Sequence, residues 1–330
     1  MRLSRRPVLL ASIASLGCSA QGGAPVELTV PAGATFSTAV DSLEARGVIA
    51  HATGFRVYAR LRNADRRIRA GRYRMTPGTS WREILDALTE GRVVTVRMTV
   101  PEGFRIPQIA PRIAGVSLAA EETVLTALRE PGAEEIFGVP GPGLEGYLFP
   151  DTYVFAAGVP VRTVVEAMTR RYRSAWTPER RARLDSLRMT ERELMTLASI
   201  VQAEARRTEE MPRIASVYHN RLRRGWLLQA DPTVLYALGG YRERLLFAAI
   251  DSVAASPYNT YRQPGLPPGP IGAPGEQAIQ ATLYPAEEPF LYFVALPDGS
   301  HAFSQTLAEH NRAIAASRRQ GTEARKSPGR

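Results

Sequence analysis

Apolar residues at helical spacing follow the same short phrase at three points in the chain. Pro31-Ala32-Gly33-Ala34-Thr35-Phe36 precedes Val40 and Leu43, and Pro77-Gly78-Thr79-Ser80-Trp81 precedes Ile84, Leu85 and Leu88. Pro101-Glu102-Gly103-Phe104-Arg105 opens a third segment. Each phrase predicts a turn that starts a helix. In the second, Ser80 and Glu83 have the spacing of a capping box, in which each satisfies the other's free backbone donor. The region from Val26 to about Arg97 therefore predicts a small αβ domain built on a duplicated strand-turn-helix unit. The competing reading is one turn motif used three times in a single domain.

Residues 105 to 188 predict several amphipathic helices, interrupted by a Gly/Pro-rich loop from Gly138 to Gly143. Directly after it comes Leu144-Glu145-Gly146-Tyr147-Leu148-Phe149-Pro150-Asp151-Thr152-Tyr153, which holds more carboxylates and tyrosines than a connection needs. Glu145 and Asp151 are expected to order that loop.

The most informative helix starts near Thr190, where Thr190 and Glu193 again have capping-box spacing. Leu194, Leu197, Ala198, Ile200 and Val201 form its apolar stripe, and Glu204 ends that stripe on the same side. A carboxyl so placed is partly desolvated, which disfavours its charge and raises its pKa. A group still protonated near neutral pH is what an acid for glycosidic cleavage requires. Alternatively the helix simply emerges there, and Glu204 pairs with Arg206, Arg207 or Arg221.

Downstream, Pro212 suits the first turn of a helix running to Arg223, and Asp231-Pro232 reads as an N-cap followed by proline at the first helical position. Gln229 and Asp231 then sit on the loop between two helices. Ser256-Pro257-Tyr258-Asn259-Thr260-Tyr261-Arg262 leads into a proline-rich loop ending at Ile271, whose aromatic and amide groups suit sugar rings, hydroxyls and N-acetyl groups. Phe290 to Leu296 predicts a buried strand, Pro297-Asp298-Gly299 a hairpin turn, Thr306 to Arg318 a helix, and residues 319–330 a disordered tail.

Composition narrows the function classes. The 330 residues carry 42 basic and 32 acidic side chains for a net charge of +10, and Lys326 is the only lysine. Such a surface favours an anionic partner. The single cysteine excludes an internal disulfide, and the four histidines show no zinc-binding spacing, so no metal or cofactor is expected. Arg2, Arg5 and Arg6 followed by an apolar run to Gly17 form an export-type leader, shorter than the ~20 apolar residues that span a bilayer. Cys18 stands where that run stops, as in a lipidated bacterial lipoprotein, although Ser15 stands where a leucine is usual. Ordinary cleavage after Ala20 and an uncleaved anchor are the two alternatives. All three place the folded chain outside the cytoplasm, which argues against nucleic acid as the partner.

Taken in order, VPEGF at Val100 to Phe104, LEGYLFPDTY at Leu144 to Tyr153, LASIVQAEA at Leu197 to Ala205, LQADPTVLY at Leu228 to Tyr236 and SPYNTYRQPGLPPGPI at Ser256 to Ile271 closely resemble the MltG/YceG-like endolytic murein transglycosylases. The ending from Leu291 to Asn311 resembles that family too. Val26 to about Arg97 also resembles the LysM-like fold of cell-wall binding modules.

The family resemblance implies a bacterial enzyme that faces the cell wall and cuts nascent glycan strands between N-acetylmuramic acid and N-acetylglucosamine without hydrolysis, with Glu204 as the catalytic acid. Gln229, Asn259 and Tyr261 are the candidates for holding substrate, with Tyr147 and Asp231 beside them. The expected fold is α+β: leader and linker over 1–25, a LysM-like domain over 26–97, a mixed α/β catalytic domain over 98–318, and the tail. The expected setting is the bacterial cell envelope, membrane-anchored at the N-terminus through Cys18 or its alternatives, beside a peptidoglycan synthase complex. Two departures stand out: the leader is shorter than the family's usual membrane helix, and Ala273 stands where the family commonly has asparagine. The alternatives are a hydrolytic muramidase using Asp231 or Glu145 as second carboxylate, and a non-catalytic peptidoglycan-binding or synthase-scaffolding lipoprotein.

Overall fold

The computed structural model describes residues 23–31, 33–240 and 247–326; the leader with Cys18 lies outside them. The chain is α+β and divides into two compact units, one ending at Val94 and the other beginning at Thr95. That division falls three residues before the expected start at Met98, because the strand Thr95–Thr99 pairs wholly within the second unit.

The first unit runs β1 (Val26–Val30), α1 (Phe36–Ala45), α2 (Ala52–Leu61), β2 (Gly71–Met75) and α3 (Trp81–Glu90). β1 and β2 pair antiparallel with Leu28 opposite Tyr73, so both side chains enter one core with Val40, Leu43, Phe55, Ile84 and Leu88. The repeated phrase is real as local structure. Thr35 caps α1 through the Thr38 N–H, and Ser80 and Glu83 form the full capping box of α3. Its third copy belongs to the second unit, where it precedes α4.

The second unit runs β3 (Thr95–Thr99), α4 (Ile106–Ser117), α5 (Glu121–Leu128), α6 (Ala133–Phe137), β4 (Thr152–Ala156), α7 (Val161–Ser174), α8 (Pro178–Leu187) and α9 (Glu191–Glu204). A 3₁₀ turn at Thr208–Glu210 leads to α10 (Met211–Arg223), α11 (Asp231–Ala237), α12 (Phe247–Ser252), α13 (Glu276–Leu283), β5 (Tyr292–Ala295), β6 (His301–Ser304) and α14 (Leu307–Lys326). β3 pairs with β4 and β5 with β6, both antiparallel. α14 continues past the expected end at Arg318 to Lys326, so the first residues assigned to a disordered tail are helical. Among the described residues no helix is long and apolar enough to cross a membrane.

α9 is the pillar of this unit. Its capping box at Thr190 and Glu193 forms as the spacing requires. Instead of one buried stripe, every residue from Leu194 to Val201 is buried. Leu194 and Ala198 join a core with Ile109, Ile113, Tyr147, Met168 and Tyr172, while Leu197, Ile200 and Val201 join a second core with Ile214, Tyr218, Leu228 and Ile271. A helix surrounded by other elements is buried all round. Each of these large aliphatic side chains contributes roughly 1.5–3 kcal/mol of burial, which fixes the pillar and the residue at its end.

Candidate active site

Glu204 is the last residue of α9, and its carboxyl opens onto a cleft of ≈ 510 Å³. The walls come from separate elements: Tyr218 and Arg221 on α10, Leu228, Gln229 and Asp231 before and at the start of α11, Tyr261 on the loop after α12, Tyr292 on β5, and His310 and Asn311 on α14.

Tyr218 is buried, and its hydroxyl donates to Glu204 Oε1 at 2.8 Å. One carboxyl oxygen is thereby engaged. Burial pushes the Glu204 pKa up to about 7; the Tyr218 hydrogen bond opposes that rise, the negative charge of Asp231 adds to it, and Arg221 opposes it. The alternative of an arginine pair is not what the side chains do. Arg221 turns its guanidinium onto the carbonyls of Leu291 (Nε, 2.7 Å) and Leu228 (Nη1, 2.7 Å), and Arg207 donates to Asp298.

Asp231 does not cap α11, as expected from Asp-Pro. The cap position is Ala230, Asp231 is the first helical residue, and its carboxylate instead accepts the Tyr261 hydroxyl. The backbone explains the displacement. Gln229 takes a left-handed conformation (φ 51°), and Gln229 N–H donates to the Thr260 carbonyl at 3.1 Å while Ala230 N–H donates to Thr260 Oγ1 at 3.0 Å. A non-glycine residue held there costs about 1–3 kcal/mol and persists only where neighbours fix it. The loop bearing Gln229 and Asp231 is thus tied to the loop bearing Tyr261, and all three side chains line the cleft. Burial and the Asp231 contact hold the Tyr261 hydroxyl above its usual range, so it stays a neutral donor.

Two expected substrate contacts turn inward. Asn259 is buried; its Nδ2 donates to the carbonyls of Ile250 (2.8 Å) and Val253 (3.1 Å), and its Oδ1 accepts the Tyr261 N–H. It shapes the loop that presents Tyr261, and it has no group left for a sugar. Tyr147 is buried edge-on against Tyr172, and its hydroxyl donates to the Gly141 carbonyl at 2.7 Å. Its work is to brace the preceding loop.

The remaining motif loops form a buttress under α9. Gly103 N–H donates to the Ala273 carbonyl and Ala273 N–H to that of Phe104. Ile271 N–H reaches Ser199 Oγ and Gly275 N–H reaches Gln202 Oε1, both side chains of α9. Gly146 adopts φ 84°, and a Cβ there would stand 2.3 Å from Pro270, so only glycine allows the two loops to meet. Glu145 serves this joint: its carboxylate accepts the Ile106 N–H at the start of α4, at 3.2 and 3.3 Å to its two oxygens. Burial raises its pKa to about 7.

Tyr218, Tyr292 and His310 were not among the sequence candidates. Tyr218 and Arg221 stand three apart on α10 and so share a face, but nothing local pairs either with a carboxylate on the previous helix. Tyr292, His310 and Asn311 lie within the Leu291–Asn311 ending, which marked the stretch without marking the residues.

Fold and cleft together define an α+β protein with a desolvated carboxyl at the end of a buried helix, sharing its cleft with tyrosine, amide and carboxylate groups. Residues 28–316 match the YceG-like family. Over 305 residues the chain is 32% identical to an endolytic murein transglycosylase of Bacillus subtilis (87% of this chain, 83% of that protein), and over 320 residues 30% identical to one of Streptococcus pneumoniae (88% and 58%). A crystal structure of a yceG-like protein from Listeria monocytogenes matches with a TM-score of 0.60 at 32% identity, covering 88% of this chain and 99% of that one. The chain belongs to the YceG-like family.

Proposed function

We propose that this chain is an endolytic peptidoglycan lytic transglycosylase with Glu204 as its one acid and base. The observation that carries the reading is the Glu204 carboxyl itself, poised near pH 7, open to a cleft and held on one oxygen by Tyr218. The relatives named above, endolytic murein transglycosylases in two bacteria, give the substrate class.

An ordinary glycosidase needs a second carboxylate, as nucleophile or to activate water. A lytic transglycosylase does not. Glu204 donates its carboxyl proton to the bridging oxygen as the bond to the muramyl C1 breaks, and the resulting carboxylate then takes the proton of that sugar's own C6 hydroxyl. The C6 oxygen attacks C1 within one ring, giving a 1,6-anhydro end and consuming no water; the two groups are already neighbours, which replaces a bimolecular step. Gln229, Asp231 and Tyr261 hold the substrate. Asp231 shares the cleft with Glu204, which gives the hydrolytic alternative a specific second carboxylate.

Digestion of purified glycan strands followed by mass spectrometry decides between these. The lytic product is one water lighter than the hydrolytic product, and no product at all from sacculi or nascent strands favours a scaffolding protein.

The first unit is assigned glycan binding as a LysM-like module, supported by its strand-helix-helix-strand order and by Trp81, Tyr58 and Tyr73 among many arginines, although Tyr73 is itself buried in the core. A chain beginning at Val94, which keeps β3 whole, then cleaves short glycans at a similar turnover but acts poorly on long strands. The enzyme works in the bacterial cell envelope on the extracytoplasmic side, anchored through its N-terminal leader, next to a peptidoglycan synthase. Recovery of acylated Cys18 at the mature N-terminus is the result that this anchoring requires of the lipoprotein form.

A further inference from the structure

The wall of the cleft formed by β5 and α14 has no part in the acid chemistry, yet its rings continue beyond the cleft into a third element. Trp226, on the turn after α10, lies 6.2 Å from Tyr292 on β5, ring centroid to ring centroid. Tyr292 stacks on His310 of α14 at 5.2 Å and 23°. Arg221, the same guanidinium that ties α10 to Leu228 and Leu291, sits 5.3 Å from the Tyr292 ring, and Arg224 sits 5.8 Å from Trp226. Tyr292 and His310 line the same cleft as Glu204, together with Asn311 of α14.

Trp226 is the outer end of this series. It is 40% exposed, whereas an indole is ordinarily well covered, and its backbone is pinned by a 2.9 Å hydrogen bond to the Arg221 carbonyl. The rings are thus packed on one another before any ligand arrives, and a site already assembled lowers the entropy cost of binding. Burial and the nearby Arg221 keep the His310 pKa below its usual value, so that ring is neutral at physiological pH. An internal cut in a polymer requires the strand to extend beyond the sugars at the scissile bond, and ring faces suit the apolar C–H faces of a pyranose. An amide such as that of Asn311 suits hydroxyl and N-acetyl groups.

We propose that the exposed indole of Trp226, backed by the Tyr292–His310 stack, is a sugar-binding subsite beside the cleft that holds a pyranose ring of the glycan strand to one side of the bond cleaved at Glu204. This deepens the glycan-cleaving reading and rests on it.

The test uses the full chain and amidase-treated peptidoglycan glycan strands of defined length. Trp226→Ala raises KM about three- to ten-fold, the range one aromatic contact supplies, with kcat changed less than two-fold. Trp226→Phe, which keeps a ring, recovers most of the loss, and thermal melting of both variants checks that each remains folded at the assay temperature. An unchanged KM in Trp226→Ala, or a fall in kcat with KM unchanged, overturns the subsite while leaving the cleavage reading intact. Failure of the unaltered chain to cleave any strand overturns the cleavage reading, and the subsite with it.

Discussion

Two carboxyls of the second unit, Glu204 and Glu145, are both buried enough for their pKa to rise to about 7, yet their surroundings differ in kind. Glu204 ends a helix and lines an open cleft, with one oxygen held by Tyr218. Glu145 lies in a joint between loops, both oxygens directed at the Ile106 N–H, with Arg105 as its cationic neighbour. An elevated pKa thus marks desolvation, and it marks an acid catalyst only where a substrate oxygen can reach the proton. The contrast also argues against Glu145 as the second carboxylate of a muramidase.

The largest expected effect is that of Glu204→Gln, which keeps the shape and removes the transferable proton. Cleavage falls by about 10²–10⁴-fold while glycan binding and the melting temperature persist. Equal loss from Glu145→Gln, in a chain with unchanged melting, would erase the distinction between the two sites.

Glu145→Ala is expected to act on stability. It orphans the Ile106 N–H, at a cost of about 1–3 kcal/mol, and lowers the melting temperature by several degrees with turnover per folded molecule reduced less than about ten-fold. Thermal unfolding and active-site-normalised kinetics separate the two consequences.

A smaller effect sharpens the role of Tyr218. With Glu204 in the proposed role of acid, cleavage is expected to decline as pH rises through about 7. The Tyr218 hydrogen bond favours the carboxylate, so Tyr218→Phe raises the pKa and carries the alkaline limb to higher pH. A limb that stays in place would mean that this bond does not tune the acid.

The smallest effect is on the pH dependence of stability. Both glutamates have folded pKa values above their ordinary 4.5, so their stabilising contribution is complete below about 4.5 and is lost as pH rises through about 7. Glu204→Gln combined with Glu145→Gln removes that loss. Its melting temperature should therefore gain on the parent's between about pH 5 and pH 8, as calorimetry can measure.

Much of the local structure was legible because it depends on neighbours within a few residues. The capping boxes at Ser80/Glu83 and Thr190/Glu193, the start of α10 near Pro212 and the turn at Pro297-Asp298-Gly299 all formed where their spacing put them. Glu204 was legible for the same reason: helical periodicity alone puts it in line with Leu197, Ile200 and Val201. Local rules failed where distant segments compete for the same group. Asp231 has the sequence of a helix cap, but Tyr261, thirty residues away, takes its carboxylate, and the Thr260 backbone and hydroxyl hold the preceding residues. Asn259 and Tyr147 carry polar groups that suit a sugar, but neighbouring carbonyls occupy them.

The sequence by itself determined the elements, the helix that carries the acid and the family resemblance, since each rests on short-range periodicity, capping or ordered motifs. Tertiary structure alone decided which polar side chains remain free for a ligand. A side chain's availability depends on whether packing brings it a partner from elsewhere in the chain, as Tyr218 is brought to Glu204 and Glu145 to the Ile106 N–H, and that is a matter of three-dimensional distance that no local pattern encodes.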